Sequence, residues 1–263
     1  MTTVRPITLP EYSPDNLKWK EFYGIFRDTI NPQLTVREFK HFYHFEKPKE
    51  INVEFIYSED RLVGFIAAAF YPSQNNNDRK KTTIARGTAG ILPDCRGGMM
   101  PSFRLCLKYI RYKIAHPMEQ VYVTGYMANP KLYAMMCNYA HRVYPKIDIS
   151  EPDEIKILRD SILKSKHRMG EYLVRLHFPV LITEKEKSGI SRSEDEHMKY
   201  FLHKNPQYDQ QIGLFTIIPV DAGNIFHSVK MHVQKRLKKY VRRQIELTNF
   251  RSRGKNSLAK VGT

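Results

Sequence analysis

Between residues 16 and 28 the apolar residues Leu17, Trp19, Phe22, Ile25 and Phe26 recur at steps of mostly three and four. Phe39, Phe42 and Phe45 repeat that spacing between residues 35 and 45. Two short helices, each with one buried face, follow from this pattern. The period then changes. Residues 52–58 and 62–71 are β-rich runs separated by Glu59-Asp60-Arg61, which predicts a hairpin. A polar loop over 74–81 leads to a third strand at 82–92. Helical spacing returns over 102–115, where Phe103, Leu105, Cys106, Tyr109, Ile110 and Tyr112 are apolar. A strand at 121–126 and a helix at 130–143 come next, with Pro130 in a first turn, where its missing N–H costs little. The alternation of strand and helix marks a mixed α/β fold.

From Ser150 the composition shifts. A helix is expected to about residue 164 with Ser150 as its N-cap. Residues 171–183 alternate as a strand, with 213–220 as its partner, and a short helix is expected near 196–202. The reading is one domain over 1–224, with a helical insertion at about 150–211, followed by a basic helix and frayed tail at 225–263. In that last helix, Ile225, Phe226, Val229, Val233, Leu237, Tyr240 and Val241 fall in one arc of about 160°, while Lys235, Lys238, Lys239 and Arg242 fall opposite. Packed on the sheet, such a helix would keep its charged side in water.

Charge changes this picture more than composition does. The chain carries +16, and from His227 onward eleven Lys and Arg stand against Glu246 alone, so the tail holds +10 of it. A concentration of this kind suits phosphates of nucleic acid or an anionic membrane surface, or else a solvated end. With 41% hydrophobic residues the body has ample core material. No run approaches the roughly 18–20 apolar residues of a membrane-spanning helix, and the first residues lack the apolar centre of a signal peptide. Cys95, Cys106 and Cys137 form no disulfide framework or metal-ligand spacing, which fits a reducing, cytoplasmic setting.

The segment with chemistry in it is Ile91-Leu92-Pro93-Asp94-Cys95-Arg96-Gly97-Gly98-Met99-Met100-Pro101, a glycine-containing loop between a strand and a helix. Loop amides and the positive end of a helix bind phosphate. The spacing matches neither a Walker loop nor a dinucleotide fingerprint. It is similar to the signature of the GNAT acyltransferases: a strand, Pro-Asp, Arg/Gln-x-x-Gly-x-Gly/Ala and a helix. The element order over roughly residues 1–145 resembles that family too. So does Asn129-Pro130-Lys131-Leu132-Tyr133, which is similar to its Asn-initiated helix beside the cofactor.

The resemblance implies a central, mixed and largely antiparallel sheet flanked by helices. It also implies acetyl-CoA or another acyl-CoA as co-substrate, with an amine acceptor. Backbone amides near Ile91 and Leu92 would polarise the thioester carbonyl. The loop Arg96, Gly97, Gly98, Met99 and Met100 would hold the diphosphate, with Asn129 nearby. The sequence departs from the family at three places. Met99 and Pro101 stand where it has glycines, and Met136 stands where it often has a tyrosine. The strand at 82–92 carries no carboxylate, which leaves Glu54 as a candidate base and Tyr133 as a candidate acid, beside readings in which both are ordinary strand and packing residues. A catalytically degenerate binding protein with a nucleic-acid-docking tail is the rival class. No His or Cys grouping suggests a metal site.

Overall fold

The computed structural model describes residues 2–8, 16–44, 48–73, 81–95, 101–164, 166–176 and 184–258. The chain opens with strand β1 (Thr2–Thr8), which the hydrophobic pattern does not signal: Thr-Thr-Val-Arg-Pro-Ile-Thr has little apolar alternation. Helices α1 (Leu17–Ile30) and α2 (Val36–His44) follow. Asn16 caps α1 by accepting from the Lys18 amide at 3.0 Å. Thr35 and Glu38 form a reciprocal capping box ahead of α2: the Thr35 amide donates to Glu38 at 2.7 Å and the Glu38 amide to Thr35 at 3.2 Å.

The expected hairpin is β2 (Glu50–Ser58) and β3 (Arg61–Pro72). Its two-residue turn holds Glu59 and Asp60 at φ 49° and 66°, the twist that matches strand to strand in a tight hairpin. Strand β4 (Thr82–Ile91), helix α3 (Pro101–Ala115), strand β5 (Gln120–Met127) and helix α4 (Pro130–Tyr139) complete the first half. The second half contains α5 (Asp153–Leu163), β6 (Leu173–Arg175), α6 (Glu184–Ser191), α7 (Glu196–Lys204), β7 (Ile212–Pro219) and α8 (Ala222–Leu258).

Three expectations need correction. Pro152, not Ser150, stands at the start of α5, with no side-chain cap. Strand β6 occupies only Leu173–Arg175 of the expected 171–183, and residues 177–183 lie outside the described ones. The helix at 130 stops at Tyr139, with the Ala140 amide closing on Met136 O.

The strands form one mixed, largely antiparallel sheet in the order β1-β2-β3-β4-β5-β7-β6. Among the described strands only β4 and β5 run parallel. Side chains alternate between two cores. On one face Trp19, Phe22, Phe26 and Phe39 of α1 and α2 pack on Phe55 and Phe65. On the other face Leu105, Tyr109 and Tyr112 of α3 pack on Ile66, Ala68 and Phe70. A third cluster joins Tyr133 and Cys137 of α4 to Phe201 of α7 and Leu214 of β7.

Helix α8 runs antiparallel to α3: Ser228 meets Cys106 at 3.4 Å, and His232 lies against Phe103 and Tyr139 at centroid distances of 4.6 and 4.3 Å. Apart from Ile225, which packs on the core under α3, its inward side is polar, which reverses the packing expected from the rest of its apolar arc. Asn224 accepts from the Arg142 amide and donates to the carbonyls of Arg142 and Pro219, so the start of the helix is fixed by hydrogen bonds. Asn224, Ser228 and His232 are buried while Phe226, Val229, Val233, Leu237, Tyr240 and Val241 face solvent.

Phe22 touches the rings of Trp19, Phe26, Phe39, Phe55 and Phe65. Phe22→Ala is expected to lower stability by about 3–5 kcal/mol, read as a fall in the urea midpoint with an unchanged slope. A loss under about 1 kcal/mol would mean that α1 does not carry this face of the core.

Candidate active site

Strands β4 and β5 pair only at their N-terminal ends, Thr82 with Gln120 through Ala85 with Val123. Beyond that point each follows its other neighbour. Strand β4 stays registered on β3 from Thr83–Pro72 to Ile91–Gly64, and β5 stays on β7 out to Met127–Leu214. The sheet therefore opens into a V between Arg86–Ile91 and Thr124–Met127. The change in burial marks the opening: Thr82–Ala85 are buried, whereas Gly87 is exposed and Thr88 and Ala89 are half-buried.

Backbone directions along β4 follow from its ladder. The Gln120 amide donates to Lys81 O, and the Ser73 amide donates to Thr82 O. Odd-numbered residues thus turn their N–H and C=O toward β5 and even-numbered ones toward β3. The N–H groups of Gly87, Ala89 and Ile91 point into the V. The amide of Leu92, even-numbered, donates to Val63 O at 2.9 Å. Of the two amides expected to polarise a carbonyl, Leu92's is turned away, and the direction belongs to Ile91 with Ala89 and Gly87.

Helices close on β4 from both faces because it lacks side chains where they touch. A Cβ on Gly87 would lie 1.8 Å from the Tyr109 hydroxyl, and one on Gly90 would lie 2.1 Å from Thr29 Oγ1. At the open end the chain turns through Pro93–Cys95, where the Cys95 amide closes on Leu92 O and Arg61 donates to Asp94 at 3.0 Å. Arg96, Gly97, Gly98, Met99 and Met100 lie outside the described residues. Helix α3 begins at Pro101 with no acidic residue in its first turn. Its positive end is therefore not neutralised locally.

The closed end of the V is held by a carboxylate that sequence reasoning passed over. Lys113 reaches the carbonyls of Pro117 and Glu119, fixing the short α3–β5 connection. Glu119 is thereby presented, buried, at the root of β5. It accepts from Thr83 Oγ1, from Lys49 Nζ at 3.2 Å and from Tyr112 OH at 3.2 Å, and it pairs with Lys81 at 3.1 Å. Burial alone would raise its pKa; hydrogen bonds from Thr83, Lys81 and Lys49 outweigh that and bring it down to about 2. The readable signal was slight: a glutamate at the foot of one strand and Lys81-Thr82-Thr83 at the foot of its parallel partner.

Glu54 sits on β2, two strands from the V and so roughly 10 Å from β4 by strand spacing. Its carboxylate is buried between Arg104 Nε at 2.9 Å and Lys108 Nζ at 3.2 Å. Burial pushes its pKa up, but the Arg104 hydrogen bond and the Lys108 charge pull it below the ordinary carboxylate value. Tyr133 is fully buried against Tyr200 and Phe201, and its hydroxyl donates to Pro145 O at 2.8 Å. Burial drives its pKa far upward. Asn129 caps α4 by accepting from the Lys131 amide at 2.9 Å. Sequence reasoning also missed Arg86, the first residue past the last parallel pair. It is half-buried on the α1–α2 face, and its guanidinium lies 4.9 Å from the Tyr71 ring centroid. Its signal was plain: it is the one charged residue of β4. Among the described residues, no group of three or more His, Cys, Asp or Glu is placed to hold a metal ion.

Comparison with known proteins gives no matching family model and no matching curated protein. Solved structures with a similar course of chain include NAA60 from Arabidopsis thaliana in complex with a bisubstrate analogue. That match is 13% identical, covers 84% of this chain and 100% of that one, and has a TM-score of 0.39. The same protein with acetyl-CoA matches at 20% identity over 54% of this chain and 87% of that one, TM-score 0.37. A GNAT family acetyltransferase from Elizabethkingia anophelis with acetyl-CoA bound matches at 13% identity over 57% and 88%, TM-score 0.32.

The depressed Glu119 pKa has a definite sign. Its stabilisation is full above its ordinary value of 4.5 and is lost as pH falls toward about 2. In urea titrations the wild-type midpoint should drop across that window, and Glu119→Gln should flatten the drop. At neutral pH the same variant should lose about 2–4 kcal/mol, because its lysine partners are left without their anion. An unchanged pH slope would remove Glu119 from the clamp.

Proposed function

We propose that the chain is an acyl-CoA-dependent N-acyltransferase in which the V between β4 and β5 receives the acyl-pantetheine arm. The observation that carries this reading is the parted parallel pair with the strand amides of Gly87 and Ala89 aimed into it, next to a glycine loop and an acid-free helix start. A strand amide row suits the repeating amides of a pantetheine arm, and the helix start suits a diphosphate. These residues fit the group. Arg96, Gly97, Gly98, Met99 and Met100 would hold the diphosphate together with the first turn of α3, and Ile91 and Ala89 would line the arm. The thioester supplies an already activated acyl group.

The chain's part in the reaction is then positional. The β4 amides polarise the carbonyl through fixed dipoles. An acceptor amine is held for attack as an effectively unimolecular partner, with the N–C bond forming as the C–S bond breaks. The amine must shed a proton, and Arg86 bears on that step. A cation on the α1–α2 side of the opening disfavours an ammonium beside it, so the bound amine is neutral at lower pH. Glu54 in this reading fixes α3 against the sheet, and Asn129 starts α4. The second reading, a degenerate binding protein on the same fold, is favoured by one observation: the carboxylate of Glu54 and the hydroxyl of Tyr133 are both committed elsewhere.

Titration calorimetry with CoA tests the first reading. The wild type should bind, and Arg96→Glu should weaken binding at least about tenfold by reversing a charge beside the diphosphate. No heat with the wild type at millimolar CoA (about 1–5 mM) would reject it. CoA binding without transfer to any amine would establish the second reading.

For Arg86→Gln, the acid limb of the kcat profile, which reports the bound complex, should move up by about half a unit to one unit. A lowered kcat with an unmoved acid limb would show that Arg86 does not act on the amine.

A further inference from the structure

Helix α8 presents its apolar stripe to solvent. Phe226, Val229, Val233, Leu237, Tyr240 and Val241 are each between 44% and 72% exposed. On a helical wheel the six fall within about 120°. They span roughly 23 Å of helix axis. Scattered exposed apolar residues are ordinary on any protein, but a continuous stripe on one helix is not. The same stretch is strongly basic. Between Ala222 and Val241 there are five Lys and Arg and no Asp or Glu. Lys230 falls inside the arc near one edge and Arg236 just beyond the other, and both are exposed, as are Lys235 and Lys238 behind the stripe. The side chains of Lys239 and Arg242 lie outside the described ones.

We propose that α8 docks on an anionic lipid bilayer, with the stripe inserted at the headgroup level and the cations on acidic headgroups. Two requirements select this occupant. The stripe gains only by leaving water, which a nucleic-acid duplex would not provide. The cations gain only from an anionic partner, and a second copy of α8 would instead bring two strongly basic helices together. An acidic bilayer meets both at once. No helix among the described residues is long and apolar enough to cross a membrane, so the contact is one of lying on the surface. The inward side of α8 is already fixed to α3 and α4 through Ser228 and His232, and to Arg142 and Pro219 through Asn224, so docking needs no rearrangement of the body. This contact stands independently of the acyltransfer reading.

Co-sedimentation of the full chain tests the proposal, using phosphatidylcholine vesicles with and without about 30% phosphatidylserine. Binding should be at least about tenfold stronger with phosphatidylserine, given roughly fivefold per engaged cation. Val233→Asp with Leu237→Asp should abolish it while leaving the circular dichroism unchanged, since both side chains are exposed. Lys235→Glu with Lys238→Glu should remove the phosphatidylserine preference. The proposal is overturned by absent vesicle binding, by equal binding to both vesicles, or by binding indifferent to the stripe variants. A dimer seen by light scattering that Leu237→Asp dissociates, without vesicle binding, would assign the stripe to a second copy. Duplex DNA binding that survives the stripe variants, without vesicle binding, would assign the cations to nucleic acid. Either result overturns the lipid reading.

Discussion

The carboxylate of Glu119 sets the geometry of everything between β4 and β5. Two parallel strands in the middle of a sheet ordinarily pair along their length, because an unpaired backbone amide away from water costs free energy. Here they pair over four residues and part. What keeps the separation from spreading backward is one buried anion tied to the feet of β2, β4 and β5 and to α3 through Lys49, Lys81, Thr83 and Tyr112. The β3 and β7 ladders keep it from closing forward, since each outer partner stays in register past the split. The opening is thus a fixed feature of the sheet with one hinge-free end, and the β4 amides are aimed into it by the ladder alone.

A second ion cluster on the same helix has a complementary task. Glu54 holds Arg104 and Lys108, one turn apart, and so fixes the rotation and height of α3 over the sheet. Burial lowers the pKa of Lys108 while its anion resists that fall, as expected for a charge kept inside only because it is paired. Gly87 lets α3 come down onto β4 beside it. With the helix held at both ends, by Glu54 near its start and Glu119 near its end, its N-terminus is delivered to the mouth of the V. The two carboxylates share no contact, yet they constrain the same rigid element. Residues 1–226 carry 32 Lys and Arg against 26 acids, so the larger share of the basic excess falls on the segment that α8 opens.

Most of the element order was legible because it rests on period and punctuation. The aromatic residues of α1, the hairpin turn at Glu59-Asp60 and the capping residue Asn129 each announce themselves locally. What was not legible depends on partners far along the chain. Strand β1 has no pattern of its own and becomes a strand only because β2 offers it an edge. The inward face of α8 is chosen by Asn224, whose hydrogen bonds go to Arg142 and Pro219, so its apolar arc ends up outside. Glu119 reads as an ordinary acid before a strand until Lys49, 70 residues away, is seen beside it. The same holds for Glu54. A lone carboxylate on a strand suggests a base, and only the fold shows that its two oxygens are already engaged.

That engagement bears on how such a site works without a dedicated base. A side chain can accept a proton only if its protonated form is tolerable where it sits. Glu54, protonated, would leave Lys108 buried and unpaired, so the surroundings oppose the change. Tyr133, ionised, would be an anion in a closed aromatic cluster, facing the Pro145 carbonyl oxygen with no proton left to donate to it. Neither can cycle cheaply. Arg86 needs no cycle at all: its charge is permanent, and in the proposed reaction it would bear on the protonation state of a neighbouring amine without changing its own. In the proposed reaction, a site built from fixed dipoles and a fixed cation would leave the proton to solvent and act through geometry. The sheet would support this by holding the β4 amides aimed beforehand, so that the proposed reaction would require no reorganisation of them.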